Sequence, residues 1–90
     1  MKTFKVTQDY IDKGSKNNAL TCPVACAMIT EYPDVLVNAD RIMVDAHRDI
    51  SYDCSPDLHK WIANFDRGRE VVPYEFYIDL DSNIAEIVSN

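Results

Sequence analysis

The sequence contains no complete catalytic, metal-binding or nucleotide-binding motif, very little glycine and no long apolar run, and each absence narrows what the chain can do. Nothing approaches the ~20 consecutive apolar residues of a membrane span. The opening Met1-Lys2-Thr3-Phe4-Lys5-Val6 lacks the apolar stretch of a signal peptide, so a cytoplasm is the expected compartment. There are only two glycines, Gly14 and Gly68, and no repeat or low-complexity tract, which excludes a chain of modules on flexible linkers. Cys22, Cys26 and Cys54 are odd in number, so a fully paired disulfide framework within one chain is excluded, in keeping with a reducing compartment. Residues 70 to 90 carry Glu70, Glu75, Asp79, Asp81 and Glu86 without a single Lys or Arg, although Arg67 and Arg69 stand just before them.

What is present fits one small domain spanning 1–90. With 47% hydrophobic side chains in 90 residues, the apolar content suffices for one core and cannot be divided into two. A core of this size leaves little room for a deep substrate cavity, so a binding surface is expected rather than a pocket. The net charge of −6 argues against non-specific DNA binding, because the carboxylates repel a polyanion unless the basic residues are tightly grouped. The acidic C-terminal third reads either as a solvated surface or as a face that meets a basic partner.

The order of elements points to an α+β fold, a small antiparallel sheet packed against two or three helices. Phe4-Lys5-Val6 reads as a short strand, and Thr7 caps a helix through Lys13 that anchors Tyr10 and Ile11 and is closed by Gly14 in the left-handed conformation. Ser15-Lys16-Asn17-Asn18 is a polar loop. A second helix starts near Thr21 or Cys22 with Pro23 in its first turn and runs to about Tyr32, with Cys22, Ala25, Cys26 and Ile29 on one face. Val35-Leu36-Val37 and Ile42-Met43-Val44, joined by Asn38-Ala39-Asp40-Arg41, form a hairpin, and Ile50 and Tyr52 suggest a further short strand. Ser55-Pro56-Asp57 is the clearest helix start. It is followed by Leu58, Trp61, Ile62 and Phe65 at i, i+3, i+4 and i+7, and by the terminator Gly68. From Val71 to Leu80 the chain is β-rich, with Tyr74, Phe76, Ile78 and Leu80 alternating against Glu75, Tyr77, Asp79 and Asp81. The tail with Ile84, Ile87 and Val88 forms a helical turn or an edge strand.

Several groupings could carry chemistry. Cys22 and Cys26 at i,i+4 could ligate a metal together with Cys54, His47 or His59, but their apolar setting favours core packing. Cys54 near a helix start with His59 close by suggests a thiol nucleophile, yet no oxyanion-hole signature accompanies it. Asp79 and Asp81, two apart on a strand, share a face as metal-binding carboxylates sometimes do, and read more simply as its solvent side. Trp61 and Phe65 belong to the core stripe of their helix rather than to a base-stacking platform. Tyr77, on the polar side of the last long strand, is the better candidate for an exposed contact. No cofactor and no enzymatic role is implied.

Two stretches, Thr21-Cys22-Pro23-Val24-Ala25-Cys26-Ala27 and Trp61 to Phe76, match the patterns CPxAxA and WIxxFDxGxxVxPxxF. Together with Val6 to Gly14, they make the chain resemble a family of short proteins encoded by tailed bacteriophages. Most of the matching positions are cap, core and turn residues. In size, charge and lack of a catalytic motif the chain is also similar to phage anti-CRISPR proteins. That resemblance implies a protein acting in the host bacterial cytoplasm that binds a type I CRISPR surveillance complex stoichiometrically and blocks target DNA recognition. Its partner-binding residues would be the carboxylates Glu75, Asp79 and Asp81 with Tyr77, set against a basic channel, or Lys13, Lys16, Arg41, Arg67 and Arg69 if guide RNA is touched. The alternative is an accessory phage protein that modulates host transcription, replication or another host protein.

Overall fold

The computed structural model describes residues 2–45 and 47–88. The chain forms one six-stranded sheet and three helices, in the order β1 (Lys2–Val6), α1 (Gln8–Lys13), α2 (Pro23–Met28), β2 (Leu36–Val37), β3 (Arg41–Asp45), β4 (Ile50–Cys54), α3 (Pro56–Asp66), β5 (Tyr74–Asp79) and β6 (Ile84–Ile87). The spatial order of strands is β1-β5-β6-β4-β3-β2. The class is α+β, as the sequence implies, but the sheet is mixed rather than wholly antiparallel, because β6 runs parallel to β4 through Asp53↔Ile84 and Cys54↔Ala85. A parallel neighbour needs a crossover. Here α3 and β5 supply it, which places the tail strand in the middle of the sheet and not at its edge.

Helix α3 forms for the local reasons its sequence offers. Ser55 Oγ accepts the Leu58 N–H at 3.3 Å, Pro56 occupies the first turn, and Leu58, Trp61, Ile62 and Phe65 are buried on one stripe. Its stripe packs on the sheet: Trp61 lies 4.6 Å from Tyr74 between ring centroids and donates its indole N–H to the Val72 carbonyl at 3.0 Å. Gly68, at φ +78°, closes the helix in the left-handed region. A core of Phe4, Val6, Phe76, Ile78, Ile42 and Tyr52 faces Val24, Ala25 and Met28 of α2 and the α3 stripe.

Helix α2 departs from expectation. It ends at Met28, about a turn earlier than its apolar run suggests: beyond it the Glu31 N–H reaches back only three residues to the Met28 carbonyl, in 3₁₀ fashion, and shares that acceptor with the Tyr32 N–H. Its buried side is Val24, Ala25 and Met28 with Cys22, while Ile29, expected on the core face, is 46% exposed. Tyr10 and Ile11 on α1 are only half-buried. Gly14 is likewise not left-handed: its φ of −68° and ψ of 151° suit any residue. Glycine is required there by proximity, since a Cβ would lie 2.7 Å from both Cγ and Cδ of Pro23.

Candidate functional site

Both α2 and α3 lie against one face of the sheet, and among the described residues no helix packs on the other. Alternation along the strands decides what that open face presents. Thr3 and Lys5 come from β1, Glu75, Tyr77 and Asp79 from β5, Ile84 and Glu86 from β6, Ser51 and Asp53 from β4, and Arg41 and Met43 from β3. The register sets them in rows. Thr3, Tyr77 and Glu86 are direct neighbours, Asp79, Ile84, Asp53 and Arg41 form a second row, and Leu36, Met43 and Ser51 a third.

The charges of the face are unevenly compensated. Arg41 Nε stands 3.4 Å from Asp53 Oδ1, and Lys5 Nζ 3.9 Å from Glu75 Oε1. Asp79 and Glu86 have no cation opposite among the described residues. Instead, the Tyr77 hydroxyl donates to Glu86 Oε2 at 2.8 Å, and this bond raises the phenol pKa. Asp79 Oδ1 accepts the Asp81 backbone N–H at 3.0 Å. That bond, with one from the Ser82 side chain, holds the Asp79 carboxyl below the usual carboxylate range.

Of the acidic residues singled out from the sequence, Glu75 and Asp79 therefore share the open face with Tyr77. Asp81 does not. Strand β5 stops at Asp79, and Asp81 sits in the turn that Asp79 caps, so the two carboxylates are not successive residues of one strand face. The same turn carries Leu80 outward, 55% exposed, where alternation would have placed it in the core.

The basic residues separate as well. Arg41 belongs to the open face beside Asp53, and Lys13 is paired along α1 with Asp9 at 3.1 Å. Lys16, Arg67 and Arg69 come together on the far side of the molecule, where Lys16 Nζ lies 3.1 Å from the position a Cβ on Gly68 would take. Sequence reasoning missed Asp53 and Glu86. Glu86 was hidden because Ile84 and Ile87 fall on opposite faces of β6, so the strand shows no clean alternation. Asp53 was hidden because aspartate is depleted in strands and nothing local marks it as part of one.

Each thiol, and the His59 imidazole, has a backbone carbonyl beside it or is buried. Cys54 Sγ faces the Asn38 carbonyl at 3.8 Å, and burial, reinforced by Asp40 and Asp53, pushes its thiol up to about 12. His59 Nδ1 lies 2.9 Å from the Ala39 carbonyl and 3.2 Å from Asp40 Oδ1. Cys22 is buried with its pKa raised by desolvation, and Cys26 Sγ points at the Thr21 carbonyl at 3.5 Å. Among the described residues, no group of three or more His, Cys, Asp or Glu side chains is placed to hold a metal ion. Likewise, no helix there is long and apolar enough to cross a membrane. Comparison with protein-family models, with curated proteins and with solved structures gives no match.

Proposed function

We propose that this chain is a stoichiometric binding protein whose working surface is the helix-free face of its sheet. Following the resemblance to phage anti-CRISPR proteins, its partner is a type I CRISPR surveillance complex, and target DNA recognition is what it blocks in the host cytoplasm. The observation that supports a binding face is its composition. Asp79 and Glu86 present carboxylates that have no Lys or Arg partner among the described residues, while Tyr77, Met43 and Ile84 lie among them. An aromatic and apolar centre bordered by charge is the composition of a recognition surface. A basic channel built to receive a nucleic-acid backbone has the complementary potential.

The test is co-elution of the purified chain with effector complexes of its bacterial host, followed by measurement of target DNA binding. The proposal expects a stable complex with DNA binding lost, and a Glu75→Lys/Glu86→Lys variant that folds normally but releases the complex. No binding to any effector complex of that host would sink it. If the charge-reversed variant leaves CRISPR immunity untouched yet loses a different host protein, the accessory-protein reading replaces it.

A further inference from the structure

The surface opposite the open sheet face has the reverse charge pattern. Five of the nine Lys and Arg side chains stand beside carboxylates. The other four, Lys16, Lys60, Arg67 and Arg69, lie along α3 and just beyond its end. Lys60, Asn64 and Arg67 follow one another at i, i+4 and i+7 on one side of the helix. Arg69 Nη1 donates to Asn64 Oδ1 at 3.3 Å. Lys16 is brought to this corner by its loop, where the Asn17 backbone N–H donates to Asp66 Oδ1 at 2.9 Å and Asn17 Nδ2 to the Asp66 carbonyl at 3.2 Å. Gly68, at positive φ, lies under the Lys16 ammonium, and its chain neighbours are Arg67 and Arg69.

Directly beside this corner is a cleft of about 250 Å³. Val37 and Ile62 contribute apolar walls, and Asn17, Asn18, Asn38 and Asp66 line it with polar groups. The amide orientations are fixed by the turns they close. Asn18 Oδ1 accepts the Leu20 N–H at 2.9 Å, and Asn38 Oδ1 accepts the Arg41 N–H at 2.8 Å. Each carboxamide therefore has its NH2 group left as an unused donor. Asp66 spends one oxygen on Asn17 and keeps the other as an acceptor. The cleft thus combines aliphatic walls, amide donors and a carboxylate acceptor, and beside it stand three cations with no carboxylate partner among the described residues.

We infer that this site binds a nucleotide unit, its base in the cleft and its phosphate on Lys16, Arg67 and Arg69. A base is flat, offers acceptors to the asparagine NH2 groups and, when it is guanine, presents N–H donors to Asp66. A phosphate matches the two guanidinium forks and the ammonium. Asp66 and Glu70 flank Arg67 and Arg69 in the chain, and they disfavour an acidic peptide because its carboxylates would be repelled there. The volume suits one ring system and not a larger ligand. The net charge of the chain makes the binding weak and salt-sensitive. A free nucleotide and the 5′ end of a single strand share this chemistry. The site is independent of the sheet-face proposal, and either can fail without the other.

The test is a titration of the isotope-labelled chain by two-dimensional NMR at low salt, with guanosine 5′-monophosphate, guanosine, inorganic phosphate and a short single-stranded RNA beginning with 5′-phosphoguanosine. Guanosine 5′-monophosphate is expected to shift the side-chain NH2 signals of Asn18 and Asn38 and the backbone signals of residues 66 to 69 saturably. Guanosine and phosphate should each bind at least about tenfold more weakly, since a charge-assisted bond of 1.5–3 kcal/mol corresponds to about that factor. Arg67→Gln/Arg69→Gln should cost a similar factor. Asp66→Asn discriminates by sign. It weakens binding if Asp66 holds a base, and strengthens it if the corner is only an anion patch, because a repelling charge has been removed. Tighter binding of the RNA than of the mononucleotide would identify a strand end as the ligand, and equal binding a free nucleotide. Stronger binding by Asp66→Asn, equal affinity for inorganic phosphate, or no saturable shift at about 10 mM nucleotide overturns the inference.

Discussion

The two faces of the sheet are made by the same strands and answer to different constraints. On the covered face Phe4, Phe76, Ile78, Tyr52 and Ile42 are shut between the strands and α2 and α3, all below a tenth exposed. On the open face the alternate residues Lys5, Glu75, Tyr77 and Asp53 remain half-buried or exposed, and their contacts are ion pairs and single hydrogen bonds. A one-residue shift of register would exchange the two sets, so burial of the first fixes the placement of the second. The difference teaches that stability and recognition are separable in this chain. Substitutions on the covered face should unfold it, and those on the open face should alter what it binds.

The largest effect expected is at Phe76, which is fully buried and has its ring centroid 5.4 Å from that of Phe4. Phe76→Ala leaves a cavity at the middle of the core and should cost about 3–5 kcal/mol, a large part of the stability of a domain this small. Urea denaturation followed by the fluorescence of Trp61, which lies in the same cluster, measures it. A loss well under 1 kcal/mol would break the proposed division of labour between the faces.

Alkaline pH probes the covered side through Cys54. Its pKa rises from 9.0 to about 12 on folding, so the folded state favours the neutral thiol. The corresponding stability is fully present below pH 9.0, and is lost as the pH rises through the interval up to about 12, where the unfolded thiol ionises first. Half-buried Tyr74, whose pKa is also raised by desolvation of its hydroxyl, acts in the same direction. The midpoint of denaturation should therefore fall more steeply above pH 9 in the parent than in Cys54→Ala. Identical slopes would mean that Cys54 is not held in its buried setting.

At the edge of the covered side, Gly14→Ala places a methyl group against Pro23 and the Tyr10 carbonyl, all within 2.8 Å. The backbone there is ordinary, so the cost is steric alone, about 1–3 kcal/mol as α1 is pushed from α2. A Gly14→Ala chain as stable as the parent would show that the two helices separate freely.

How much of this was legible depended on the reach of the contacts involved. Helix α3, the Asn38 turn and β5 were readable because cap, turn residue and periodicity are local. Asn38 Oδ1 does bond the Asp40 and Arg41 N–H groups, as a residue of its type in a tight connection should. The end of α2, the reason for Gly14 and the central position of β6 were not readable, since each is decided by a residue distant in sequence or by a change of partner. The candidate site shows the same limit. Glu75, Tyr77 and Asp79 could be assigned to one face from their own strand, whereas Glu86 and Asp53 join them only through cross-strand register. The association of Lys16 with Arg67 and Arg69 required the Asn17 to Asp66 bonds that span the fold.

The smallest effect on stability, and the sharpest for the comparison, is expected at Glu86. Its carboxylate is exposed and holds only the Tyr77 hydroxyl, and exposed pairs of this kind contribute little because water competes for both partners. Glu86→Gln keeps an acceptor for the hydroxyl and removes the charge, so the denaturation midpoint should move by no more than about 0.5 kcal/mol equivalent. The Tyr77 phenol should titrate at lower pH in the variant, because the charged acceptor that raises its pKa is gone. Ultraviolet difference titration reads that change directly against the other tyrosines. If Glu86→Gln instead costs as much as a core substitution, the open face contributes to the fold. If the phenol does not respond, the two side chains do not meet in solution, and the recognition surface must be rebuilt without that pair.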